Sequence, residues 1–219
     1  MNVVITGGNR GIGLALVKHY VSQGHHVYAT CRNSCDDLNV SGATVVKGVD
    51  VSKPEFLPDA LAPLANVSID LLINNAGVLG KEGLGDWDPH TIDYQFRVNA
   101  LGPLLVTQAL LPSLSSDGKI ALITSRMGSM EDNSSGGYYG YRMSKAALNA
   151  AGVSLAQDLK PKGIAVGLFH PGFVQTEMVN GNGDIDADTA AGQLYERIAE
   201  LALNNTGQFF HANGDKIPW

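Results

Sequence analysis

Short apolar runs rich in β-branched residues alternate with stretches of helical periodicity from one end of this chain to the other. No other feature restricts the fold as much. A strand, a helix and a second strand close most readily as a right-handed parallel crossover, so the alternation implies a parallel sheet with helices on both faces. The runs Asn2-Thr6, His26-Thr30, Thr44-Val49, Asp70-Asn74, Lys119-Thr124, Ala165-Phe169 and Gly207-Phe209 read as strands. Helical spacing covers Gly11-Gln23, Pro54-Leu64, Thr91-Leu111, Tyr138-Leu159 and Ala187-Leu203. The segment Asn33-Ser41 is too short and polar to be assigned to a helix. Composition is even along all 219 residues, which places one domain over 1–219. The fold class is therefore α/β: a single-domain, doubly wound parallel sheet of the Rossmann type, with about seven strands.

The first strand runs into Thr6-Gly7-Gly8-Asn9-Arg10-Gly11-Ile12-Gly13, which opens the first helix. Gly7 suits a tight turn, Gly11 lets the backbone approach a pyrophosphate, and Gly13 lets helix and strand pack closely. A helix amino end presents free N–H groups and a positive dipole end, both of which favour phosphate. The loop is expected to hold a dinucleotide. Cofactors selected for an unphosphorylated ribose usually meet an acid at the end of the second strand. Here that place holds Thr30-Cys31-Arg32, and the nearest acid is Asp36. Arg10 and Arg32 can both form charge-assisted hydrogen bonds to a 2′-phosphate, which makes NADP(H) the expected cofactor and NAD(H) the second choice.

Within the long helix at 138–159 stands Tyr141-Arg142-Met143-Ser144-Lys145. Positions four apart share a helix face, so the Lys145 ammonium is expected beside the Tyr141 phenol. A fixed positive charge favours phenolate and lowers the phenol pKa from about 10. Such a tyrosine exchanges a proton with a substrate oxygen. Tyr138 and Tyr139 are weaker candidates. Tyr138 precedes Arg142 by four, and a guanidinium does not give up its proton.

These residues resemble the short-chain dehydrogenase/reductase family along nearly the whole chain. The loop Thr6-Gly13, with Asn9, Arg10, Gly11, Ile12 and Gly13, is similar to that family's cofactor loop. Asp50-Val51 resembles its adenine-contacting pair, and Asn74-Asn75-Ala76-Gly77 its strand-stabilising motif. Asn99, in Arg97-Val98-Asn99-Ala100, is similar to its catalytic asparagine. Ser125 matches its catalytic serine, and Tyr141 and Lys145 its Tyr-x-x-x-Lys. Pro171-Gly172, with Val174 and Thr176 following, resembles the stretch that closes over the nicotinamide. The short chain, the segment Tyr141-Asn149 and the end Asp215-Trp219 resemble the C-factor group of bacteria, related to the sniffer-type carbonyl reductases.

The resemblance implies an NADPH-dependent oxidoreductase that exchanges a hydride with a small carbonyl or alcohol. Ser125 would donate to the carbonyl oxygen, Tyr141 would supply the proton, Lys145 would tune Tyr141 and hold the ribose, and Asn99 would fix a water that links Lys145 to solvent. A dinucleotide-binding signalling protein of the C-factor type is the alternative, and the intact Ser125, Tyr141 and Lys145 favour the enzyme. Sugar-nucleotide epimerases share Tyr-x-x-x-Lys, but they resemble longer chains with a separate substrate domain. His170 precedes Pro171 beside the nicotinamide stretch. The net charge of -6 disfavours nucleic acid and anionic membrane as partners. No apolar run is long enough for a bilayer, the amino end has no secretory signal of the usual form, and Cys31 and Cys35 make no disulfide framework, so a cytoplasmic location is expected. Leu101, Leu104, Leu105 and Leu110 lie on more than one face of their helix, which points to a homodimer or homotetramer.

Overall fold

The computed structural model describes residues 1–219. Seven strands form one sheet, and every pairing in it is parallel. They are β1 (Asn2–Thr6), β2 (His26–Cys31), β3 (Thr44–Lys47), β4 (Ile69–Asn74), β5 (Leu114–Ile123), β6 (Ala165–His170) and β7 (Phe209–His211). Their spatial order is β3-β2-β1-β4-β5-β6-β7. The chain winds outward from β1 in one direction, returns to β4, and continues in the other. A crevice therefore opens between the carboxyl ends of β1 and β4.

Alternation along the strands divides the core in two. In β1, Val4 turns to one face while Val3 and Ile5 turn to the other. In β4, Leu72 joins Val4, and Leu71 and Ile73 join Ile5. Helices α1 (Gly11–Ser22) and α7 (Ala187–Ala199) cover the Ile5 side through Leu16, Val17, Leu194 and Ile198. Helices α3 (Leu57–Leu61), α5 (Gly102–Leu110) and α6 (Tyr139–Leu159) cover the Val4 side through Leu61, Leu110 and Leu148. Each fully buried aliphatic side chain of this kind contributes roughly 1.5–3 kcal/mol. No helix is long and apolar enough to cross a membrane.

Several segments depart from the sequence reading. Residues Asp36–Asn39 form one helical turn, α2, because Leu38 is fully buried and the Cys35 sulfur accepts from the Leu38 N–H. The helix expected over Pro54-Leu64 is broken into Pro54–Phe56, α3 and Ala62–Leu64, the outer two being 3₁₀ turns. Pro58 and Pro63 lack the N–H that a continuous α-helix needs. The helix expected over Thr91-Leu111 is α4 (Pro89–Phe96) and α5, joined by a π turn at Arg97–Leu101 in which Gly102 donates to Arg97 five residues back. Pro103 has no N–H to offer the Asn99 carbonyl four residues before it, so the regular ladder fails there. The last strand begins at Phe209 rather than Gly207, and β3 stops at Lys47 because Gly48 takes φ +81°.

Candidate active site

The crevice between β1 and β4 is floored by a small set of hydrogen bonds. Thr6, the last residue of β1, accepts at its hydroxyl from the backbone N–H groups of Asn75 and Ala76, at 3.0 and 3.1 Å. The Asn75 side-chain amide donates to the Thr6 carbonyl at 3.0 Å. The strand-stabilising motif expected at Asn75-Ala76-Gly77 thus ties the end of β4 to the phosphate loop. A Cβ on Gly13 would overlap the Gly7 carbonyl oxygen and the Asn75 amide, which is why α1 can begin so close to the sheet. Arg10 occupies the N-cap of α1 and gives no side-chain cap, so the first N–H groups of the helix face the cleft unpaired.

The cleft wall contains Gly7, Asn9, Arg10, Gly11, Ile12 and Gly13 from this loop. Arg32 from the end of β2, Asp50 and Val51 after β3, and Asn75, Ala76 and Gly77 after β4 complete the side expected to hold adenine and ribose. Tyr141, Lys145, Pro171 and Thr176 form the opposite end. A cradle closed against any added Cβ, an open helix amino end and two arginines fit a phosphorylated dinucleotide. Arg32 and Arg10 are not idle. Arg32 Nη1 lies 3.4 Å from the Tyr94 hydroxyl, and Arg10 Nη1 lies 3.2 Å from Glu177 Oε2.

Four expected residues fall outside the wall: Asn99 and Ser125, described below, and Gly172 and Val174. Gly172, at φ +94°, packs toward Ile185 and His211, and Val174 is buried with its backbone bridged to Ile185. This local bridge turns them away from the cleft and leaves Thr176 to reach it. Val98, Tyr94, Glu177 and Met178 line the cleft without having been expected. Val98 and Tyr94 stand one position and five positions before Asn99, a spacing that could have flagged them as the same helix face. Nothing local in the sequence marks Glu177 or Met178. His170 is 8 % exposed and its ring meets His211 edge-on at 4.9 Å, while burial pushes its pKa down to about 3.

Ser125 stands two residues past the end of β5 and accepts from the Met127 N–H at 3.1 Å, so it does cap a turn. Its hydroxyl is close enough to the Tyr141 phenol to lower the phenol pKa. The turn is held on α6 by Thr124, which donates to Asn149 at 2.7 Å, and by the Asn149 amide on the Gly128 carbonyl at 3.4 Å. Lys145 is buried, and its ammonium donates to the Ile123 carbonyl at 2.9 Å. These bonds bring Ser125, Tyr141 and Lys145 together from a strand end and a helix.

The electrostatics correct one expectation. Burial holds the Tyr141 phenol above its ordinary pKa, and the Ser125 hydroxyl offsets this only in part. Lys145 does not hold the phenol low, because its ammonium sits over the ring and spends a donor on the Ile123 carbonyl rather than on the phenol oxygen. Burial brings Lys145 itself down to about 8. The site therefore presents a protonated phenol, the form that can donate.

Asn99 is tied by its side chain to the loop after β4 and to α6. Its amide donates to the Val78 carbonyl at 2.8 Å and to Ser144 Oγ at 3.0 Å, and its Oδ1 accepts from the Val78 N–H at 2.8 Å. These bonds use both amide N–H groups and one lone pair of Oδ1. Gly77 is squeezed between Asn99 and Lys145, since a Cβ there would lie 3.3 Å from Asn99 Oδ1 and 3.7 Å from Lys145 Nζ.

Comparison with known proteins agrees with this geometry. Residues 1–186 match the family model described as short chain dehydrogenase. The chain is 35% identical over 223 residues to the 1-hydroxy-2-glutathionyl-2-methyl-3-butene dehydrogenase of Rhodococcus sp. (strain AD45), covering 99% of each. It is 45% identical over 154 residues to the C-signal of Myxococcus xanthus, covering 69% of this chain and 93% of that one. Among solved structures it superposes on the carbonyl reductase Sniffer of D. melanogaster with a TM-score of 0.92 at 28% identity, covering 100% of this chain and 99% of that one. The NADPH-bound carbonyl reductase from chicken fatty liver gives 0.91 at 27% identity, covering 100% and 98%.

Proposed function

The chain belongs to the short-chain dehydrogenase family and is an NAD(P)-dependent oxidoreductase, and from that premise we propose that it reduces a small-molecule carbonyl, or oxidises the matching alcohol, with NADPH. The observation that carries the reading is a buried Tyr141 phenol, held protonated by burial and eased by the Ser125 hydroxyl, at the end of a dinucleotide-shaped cleft. The solved carbonyl reductases it resembles, one of them bound to NADPH, and the dehydrogenase of a 1-hydroxy compound support the same chemistry.

The reduced cofactor supplies a hydride to the carbonyl carbon when bound. Ser125 donates a hydrogen bond to the carbonyl oxygen, and that bond strengthens as the oxygen gains charge. Tyr141 gives its proton to the same oxygen, and the product is the alcohol. Lys145, which lines the cleft, would hold the ribose hydroxyls of the bound cofactor. Asn99 would fix a water that links Lys145 to solvent and returns the proton. Arg10 and Arg32 hold the 2′-phosphate and set the preference over NADH.

A screen of aldehydes, ketones and quinones with NADPH tests the reading. Turnover that is lost in Tyr141→Phe supports it, and equal turnover in that variant refutes the assigned proton donor. The similarity to C-signal favours a second reading, a signalling role, which holds if NADPH binding changes a partner interaction while no carbonyl is reduced.

Assembly and location follow the same reasoning. Phe96, Leu104 and Met143 stay exposed on the α4, α5 and α6 side of one subunit, which suits contact with a second copy. Light scattering showing a mass near 23.1 kDa would refute the oligomer. The free thiols Cys31 and Cys35 suit a reducing compartment, the cytoplasm.

A further inference from the structure

Between β4 and α4 the chain is mostly open to solvent, yet Glu82 within it is only 6 % exposed. None of the ion pairs of the molecule includes it. Its carboxylate instead accepts from the Gln95 side-chain amide on one oxygen and from the Gly140 backbone N–H, at 3.2 Å, on the other. Gln95, on α4, accepts in turn from the Gly80 N–H at 2.7 Å. The Glu82 main-chain carbonyl accepts from the Tyr138 N–H at 2.8 Å.

Gly140 lies in the first turn of α6, where the N–H groups have no helical partner and the dipole end is positive. The N-cap position is held by Tyr138, which gives no side-chain cap and is forced to φ 53°. A left-handed tyrosine is strained and holds only where its surroundings require it. Glu82 supplies what Tyr138 does not: an external cap for α6, from both its side chain and its backbone. Gly80 and Gly140 are needed beside it, because a Cβ on either would run into the Gln95 amide. The next residue after Gly140 is Tyr141.

We propose that Glu82, through Gln95, is a positioning residue for Tyr141: it locks the loop after β4, helix α4 and the amino end of α6 into one unit that fixes where the phenol stands. The proposal rests on the reading of Tyr141 as proton donor. Reaction rate is steep in such placement, and an error of about 1 Å can cost roughly a hundredfold.

The donor pattern supplies the test. In Glu82→Gln one amide N–H₂ must face either the Gln95 amide or the Gly140 N–H, donor against donor. The exchanged pair E82Q/Q95E restores the bonds that join the three segments, giving up only the 3.3 Å bond from residue 95 to the Thr91 carbonyl within α4: the amide now at position 82 accepts from Gly140 and donates to the carboxylate now at position 95, which also accepts from Gly80. The measurement is kcat per NADPH-binding site, with 4-nitrobenzaldehyde as probe, together with the isotope effect from 4-deuterated NADPH. E82Q should lower kcat roughly tenfold and raise the isotope effect, with the Kd for NADPH unmoved, and the exchanged pair should recover both. Wild-type kcat and isotope effect in folded E82Q, or an exchanged pair as poor as E82Q, overturns the proposal. Should E82Q not fold, Gln95→Met, which cuts the Gly80 link while leaving Glu82 on Gly140, is judged by the same two readouts. Should wild type and Tyr141→Phe reduce the probe equally, or not at all, the functional reading fails separately. The phenol absorbance titration, wild type minus Tyr141→Phe, then decides the positioning role: a titration altered in E82Q and restored in the exchanged pair supports it, and an unaltered one overturns it.

Discussion

The Lys145 ammonium lies 5.8 Å from the centre of the Tyr141 ring and is bound to the Ile123 carbonyl at 2.9 Å. That bond keeps it off the phenol oxygen, so burial holds the phenol protonated and only the Ser125 hydroxyl offsets it. Tyr141→Phe removes only the hydroxyl, so packing and NADPH affinity should survive. Turnover should fall by about 10²–10⁴-fold, the usual worth of a general acid. Ser125→Ala should lower kcat more than it raises KM, because its bond strengthens as the oxygen becomes charged. Steady-state kinetics on one reduced carbonyl, with fluorescence titration of NADPH, checks both.

Burial lowers Lys145 to about 8 from 10.5. Between those values the unfolded chain holds a proton that the native chain has released, so the stability contributed by this group rises with pH through that window. The cost of burying its charge is complete below about pH 8. Urea unfolding of cofactor-free wild type and Lys145→Met, from about pH 7.5 to 10.5, should show wild type gaining on the variant by about 3 kcal/mol. A difference that does not change with pH would mean the buried ammonium keeps its proton.

Arg32→Ala should weaken NADPH by about 1.5–3 kcal/mol, the value of a charged hydrogen bond, and leave NADH nearly unchanged. Glu177 pairs with Arg10 across the cleft mouth, with both side chains well exposed. It competes with a 2′-phosphate for the guanidinium. Glu177→Gln should therefore tighten NADPH by no more than about fivefold, the ceiling for an exposed ion pair, with no effect on NADH. Calorimetric titration of both cofactors decides; equal changes for the two would remove the arginines from the 2′-phosphate site.

Asn99 is fully buried and holds both the N–H and the carbonyl of Val78. Asn99→Leu leaves those groups unpaired, at about 1–3 kcal/mol each. A loss near 3 kcal/mol corresponds to a fall in Tm of about 6–12 °C for a chain of this size. Thermal unfolding without cofactor measures it. A Tm within about 2 °C of wild type would show that the amide is not what secures the loop after β4.

The sheet was legible because strand and helix signals are local. Alternating Val3, Val4 and Ile5 can satisfy two buried faces at once, and a glycine loop between strand and helix has one common use. The spacing of Tyr141 and Lys145 was local too, since four residues on a helix meet whatever surrounds them. Their pKa values were not local. Spacing gives the distance between two charges but not the solvent removed from around them, and burial turned the expected lowering of Tyr141 into a rise. The π turn at Asn99 shows the same limit: Pro103 was visible, but a π turn rather than a helix break arises where α5 packs against Val51 and Gly102 has no room for a Cβ. Glu82 lies farthest from what the chain alone reveals. It sits in a glycine-rich loop with no periodicity, and it is joined to Gly140 across 58 residues. Local propensity and pattern fixed the order of elements. The burial of charge, and the pairing of groups distant in sequence, were settled only when the sheet brought them together, because desolvation and hydrogen bonding depend on neighbours in space.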